Sequence, residues 1–149
     1  MSVPTYEDAN LVLKLYELRR EEKLREARAW FTGKFFPMSA ADVDAVAGVP
    51  GTENVYFRMV ASYWDMAASF VVRGVLNADL LLDSAGEMLI VWTKLVDFLP
   101  EIRGKSVAPT FLSNLERVVE TSATARDRIP LMRRRIAYLR ERALAGARA

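Results

Sequence analysis

Apolar residues occupy nearly every side of the stretch Asn54 to Arg73, NVYFRMVASYWDMAASFVVR. Its polar residues, Asn54, Arg58, Ser62, Asp65, Ser69 and Arg73, fall at steps of four, four, three, four and four. With 3.6 residues per helical turn, that spacing draws one narrow polar stripe and leaves the other faces apolar. A helix apolar on all but one edge is buried, so the pattern predicts a central helix with the other elements packed around it.

The same reading places the remaining elements. Thr5 and Asp8 have the spacing that caps a helix start, and no glycine or proline interrupts the chain from Tyr6 to Thr32. One long helix over 6–34 is expected, with Leu13, Tyr16, Leu24, Ala27 and Phe31 on its apolar side and RREEKLRE as a solvated middle. Fully helical, it is about 45 Å long at 1.5 Å per residue. A compact chain of this size has a radius of gyration of about 15 Å. The helix is then expected to overhang the domain and invite a partner helix or a second copy. Phe35 and Phe36, in the break that follows, read as a plug against the core.

A core region over 39–126 comes next. Ser39 caps a short helix, and GVPGT at Gly48 to Thr52 is a loop. Gly74 stops the central helix, Asn77 caps a second short one, and Ser84-Ala85-Gly86-Glu87 reads as a capping box. Met88, Trp92, Leu95 and Leu99 share a face of the next helix, which Pro100 ends or kinks. Gly104 to Ala108 reads as a connection, and Pro109 as the first turn of a helix carrying Phe111, Leu112, Leu115, Val118 and Val119. A basic helix over 129–145 closes the chain, with Ile129, Met132, Ile136, Leu139 and Ala143 as a heptad-like seam. No strand pattern and no repeat occurs. The expectation is a single all-α domain over 1–149, a bundle of four to five main helices plus two short ones around the buried central helix.

Composition changes this picture mainly by exclusion. The chain has no cysteine, hence no disulfide, thiolate nucleophile or zinc ribbon, and no histidine, the commonest general base and transition-metal ligand. Catalytic chemistry is therefore reduced to carboxylates, lysine and tyrosine, and no enzyme, cofactor or metal is expected. No run reaches the ~18–20 apolar residues that span a bilayer. No secretory leader is read at the N-terminus, and a cytoplasmic location is the expectation.

Charge adds a hint about partners. Residues 126–149 hold eight arginines against Asp127 and Glu141, a balance of +6, so the first 125 residues carry 2 − 6 = −4. Arg133, Arg134, Arg135, Arg140 and Arg142 are a candidate anion-binding surface, because arginine clusters attract phosphates. Asp79, Asp83 and Glu87 stand four apart and would line one face for Mg²⁺ only if the helix ran unbroken through them. Glu17, Glu21, Glu22 and Glu26 have metal-like spacing but are interleaved with Arg and Lys, which reads as a salt-bridged solvated face. Gly104-Lys105-Ser106 ends like a P-loop yet lacks the required glycine, Leu99 standing in its place. Arg58 and Asp65 read as a thin edge reaching solvent or as charges paired with the first helix, and Trp64 and Trp92 as core. The functional expectation is a non-enzymatic protein-interaction or scaffolding module, with a protein partner or a homodimer. The alternative is nucleic-acid or anionic-lipid binding through the basic helix, and a third is a carboxylate and Mg²⁺ enzyme.

One stretch also carries a resemblance. An aromatic-rich helix, then Gly-Val-Leu-Asn-Ala-Asp-Leu (74–80), a glycine before a helix with Trp92, then Pro100 and Arg103, resembles an uncharacterised bacterial family of helical domains. The likeness, catalogued as a domain of unknown function, covers residues 6 to 120. It implies a helical fold and no chemistry, and members are often tethered by transmembrane helices that this chain does not show.

Overall fold

The computed structural model describes residues 2–105 and 108–148. Among these the chain forms α1 (Tyr6–Leu18), α2 (Glu22–Gly33), α3 (Ala40–Ala47), α4 (Thr52–Val72), α5 (Ala78–Ser84), α6 (Gly86–Leu95), a 3-10 turn (Val96–Phe98), α7 (Leu99–Lys105), α8 (Ser113–Thr121) and α9 (Ala123–Arg148). No strand occurs among the described residues. The fold is all-α.

Helix α4 is the central element that the stripe predicts. It buries Phe57, Val60, Ala61, Tyr63, Trp64, Ala67 and Ala68, with α2, α3, α6 and α8 packed around it. Its polar edge does two jobs. Near its start, the Asn54 amide donates to the Val46 and Ala47 carbonyls at the end of α3, and Asn54 Oδ1 accepts from Arg58 Nε at 3.0 Å. Two turns later, Asp65 accepts the Leu115 backbone N–H at 3.0 Å and the Asn114 side-chain amide at 2.9 Å. Asp65 thus caps α8 from outside, because the residue preceding that helix, Leu112, lies in the left-handed region and supplies no cap.

Several caps fall where the sequence places them. Thr5 and Asp8 close a capping box, Ser39 accepts from the Asp42 N–H, and Asn77 accepts from the Leu80 N–H. Gly74, at φ +75°, ends α4 through bonds from Gly74 to Val71 and from Val75 to Phe70. The box expected at Ser84 to Glu87 does not form. Ser84 is the last residue of α5, α6 has no side-chain cap, and Glu87 turns inward.

The long first helix is also corrected. It breaks at Arg19-Arg20-Glu21 into α1 and α2, so no 45 Å element overhangs the domain. Glu21 accepts the N–H groups of Lys23 at 3.0 Å and Leu24 at 2.9 Å, which starts α2 afresh. Those two bonds hold its carboxyl below the usual range. The break shifts the helical phase: Leu15 is buried whereas Leu13 and Tyr16 face solvent. Glu17 and Glu26 lie beside Lys14 and Lys23, so the four glutamates of this region do not converge.

Toward the C-terminus the boundaries shift. Gly104 and Lys105 belong to α7, while Ser106 and Val107, in the expected connection and the P-loop-like triplet, lie outside the described residues. Pro109 precedes α8 by a turn instead of opening it. Helix α9 starts at Ala123, six residues before the expected 129, and carries Pro130 in its interior. Its seam of Ile129, Met132, Ile136, Leu139 and Ala143 is half-buried, lying against α6, α8, α5 and α2.

Candidate functional site

The most unusual side chain in the molecule is Lys94. It sits on α6, whose residues Met88 to Leu95 are all buried, and it is itself only 4% exposed. Its Nζ donates to the Phe31 and Phe35 carbonyls, both at 2.6 Å, and lies 3.4 Å from the Thr32 carbonyl. These carbonyls are the last turn of α2 and the residues after it, which have no intrahelical partner. The Phe36 ring lies 3.9 Å from the same nitrogen, a cation–π distance. Burial pushes Lys94 down to about 7, with the Glu87 carboxylate pulling the other way. Lys94 therefore locks the end of α2 onto α6.

A second polar cluster lies further up the same interface. Glu87 receives Arg28 at 2.9–3.0 Å and Trp64 Nε1 at 3.1 Å. Arg28 also donates to the Arg19 carbonyl, and buried Arg19 donates to the Ser84 carbonyl while its guanidinium lies 5.3 Å from the Trp64 ring. Tyr63 donates its hydroxyl to the Leu15 carbonyl. The cluster fastens the α1–α2 break to α4 and α6, and Glu87 also forms part of the wall of a cavity between α2, α6 and α9.

The basic helix divides its charge. Arg126 donates to the Val119 and Glu120 carbonyls at the end of α8, and Arg128 donates to Leu82 O in the last turn of α5. With 3.6 residues per turn, the five candidate arginines fall into three sets. Arg133 and Arg140 flank the buried seam: Arg133 pairs with Asp97 at 3.3 Å, and Arg140 points its guanidinium at the Met38 thioether. Arg135 borders the other edge of the seam, beside Glu87, Met132 and Leu139, while Arg134 and Arg142 lie around the outward side with Leu131 and Tyr138, which are 53% and 56% exposed. Arg142 lies over the Tyr138 ring at 5.6 Å and donates to its hydroxyl. Among the described residues none of Arg134, Arg135 and Arg142 pairs with a carboxylate.

Three cavities follow α9; one, of about 350 Å³, lies against Glu87 and Ile90 on α6 and Met132, Arg135 and Leu139 on α9, and the other two meet at Arg140. Of these two, one of about 360 Å³ has Lys94 and Thr93 in its wall, with Phe36, Phe98 and Ile136 and the paired Arg133 and Asp97. The other is a wider apolar groove between Gly33, Lys34 and Phe36 on one side and Ala143, Leu144 and Ala147 on the other. Phe36, Met38 and Arg140 belong to both.

The candidate carboxylates do not meet. Asp79 and Asp83 lie on α5, Asp83 being 4.0 Å from Arg128, while Glu87 is engaged on α6. No group of three or more acidic residues able to hold a metal is found among the described residues. Sequence reasoning missed Lys94, Arg28 and Met38 as participants and gave Glu87 a capping or metal-binding role in place of its bonds to Arg28 and Trp64. Its one available signal was a lysine in the otherwise apolar run LIVWTKLV.

Fold and site together define a small helical domain tied by interior cations to helix ends. The chain belongs to a family catalogued as a domain of unknown function, DUF4760, whose model matches residues 4–122. No curated protein and no solved structure matches it significantly. Helix α9, with all five candidate arginines, lies beyond the matched span. None of the described helices is long and apolar enough to cross a membrane.

Proposed function

We propose that the chain is a non-enzymatic interaction module whose docking element is the outward face of α9. The carrying observation is one line of Leu131, Tyr138 and Arg142, flanked by Arg134 and Arg135, with both large apolar side chains more than half exposed. An apolar line edged with unpaired guanidinium groups complements an acidic amphipathic helix of a partner protein. Two copies meeting face to face along α9 would set like charges against one another, which disfavours that route to a homodimer. A cytoplasmic location belongs to this proposal, and fractionation of the native host tests it.

The test is titration of a labelled acidic amphipathic helical peptide, beside a labelled DNA and RNA oligomer, monitored by anisotropy at low and moderate salt. The proposal expects saturable peptide binding that Tyr138→Glu abolishes and Arg134/Arg135/Arg142→Gln weakens. Preference for the oligonucleotides, with the same arginine dependence and a steep salt slope, would assign the face to phosphates instead. Absence of binding to all three would overturn both readings.

A further inference from the structure

We propose that the trough along the inner flank of α9 binds a medium-chain acyl carboxylate, with its head on Arg140 and its chain between Phe36 and Leu144. This inference concerns the flank opposite the proposed docking face and does not depend on it.

Three observations carry it. First, Arg140 is half-buried where the two cavities join, and the sole acceptor it meets among the described residues is the Met38 sulfur. A thioether is a weak acceptor for a guanidinium whose planar fork suits a carboxylate. Arg133, by contrast, is already matched by Asp97. Second, the charges around the junction favour an anion: Arg140, Arg133 and Lys34 face one carboxylate, Asp97. Third, the groove leading away from Arg140 is apolar and roomy because α9 presents Ala143 and Ala147 there, opposite Gly33. Arg140, Ala143, Leu144 and Ala147 follow i, i+3, i+4, i+7 spacing, so the cation stands at one end of a straight apolar strip. A charged head with a flexible aliphatic tail matches a cation that opens onto such a strip.

Calorimetric titration of the full chain with decanoate, decanol, decyl phosphate and acetate tests this assignment. Decanoate is expected to bind once per chain, decanol at least about tenfold more weakly for want of the charged hydrogen bond, and acetate not detectably. Arg140→Gln is expected to bring decanoate down to the affinity of decanol, and Ala143→Trp to block both ligands by filling the groove. Circular dichroism and the urea midpoint verify that each variant is folded. Equal binding of decanoate and decanol, or decanoate binding untouched by Arg140→Gln in a folded variant, would overturn the proposal. So would no decanoate binding at all. Decyl phosphate binding markedly tighter than decanoate would replace the carboxylate with a phosphate monoester as the ligand head.

Discussion

Lys94 shows how a single buried cation can shape the pH response of a fold. Its native pKa, about 7, lies below the 10.5 of an ordinary lysine. Between those values the unfolded chain binds more protons than the native one, so stability rises with pH across that window. Urea midpoints measured from pH 6.5 to 9.5 are expected to climb, with a slope of up to about 1.4 kcal/mol per pH unit from this group. Lys94→Met removes that slope while orphaning the Phe31 and Phe35 carbonyls, at about 1–3 kcal/mol for each buried acceptor left unpaired. Arg28 offers a second residue-scale test. Arg28→Met leaves the half-buried Glu87 carboxylate without its cation and is expected to cost about 2 kcal/mol. Trp64, bonded to the same carboxylate, reports the change as a shift in its fluorescence. Neither residue was readable beforehand, because a lysine or arginine in a sequence does not show which distant carbonyl or carboxylate will face it.

At the scale of elements, local signals succeeded where the partner lies within a few residues. Thr5 with Asp8, Ser39, Asn77 and Gly74 all act where the spacing puts them. Ser84 to Glu87 has the same pattern and fails, since Arg28 and Trp64, 59 and 23 residues away, claim the Glu87 carboxylate. The unbroken reading of 6–34 fails similarly. Nothing within RREEKLRE forbids a helix, and the break comes from Arg19 reaching the Ser84 carbonyl and Arg28 reaching back to Arg19 O. Two substitutions check the terminations that do hold. Gly74→Ala has open space for its methyl group but must keep φ +75°, so a loss of about 1 kcal/mol in thermal or urea unfolding is expected. Asp65→Ala removes the only side-chain cap of α8 seen among the described residues and is expected to cost about 1–2 kcal/mol. Hydrogen exchange should then accelerate first at the Leu115 N–H, the backbone donor that Asp65 receives.

For the whole molecule, the all-α class and the burial of α4 were legible because both follow from apolar periodicity alone. The assignment of the arginines was not: they are spread over a helix whose orientation is set by the Ile129 to Ala143 seam on α6. That contact also bears on the extent of the domain. Truncation after residue 122, the end of the family match, strips α9 from α6, which is buried on every side. The truncated chain is expected to lose its cooperative unfolding transition, measured by circular dichroism during thermal denaturation.

The carbonyls at 31 and 35 wait for a lysine some sixty residues later, and α1 and α2 are joined through Arg19 and Arg28 to residues 84 and 87. On the ribosome, at about 5–20 residues per second, the first third of this polypeptide emerges several seconds before the groups that complete it. The N-terminal helices therefore cannot mature vectorially: their interior bonds close only after α5 and α6 have emerged.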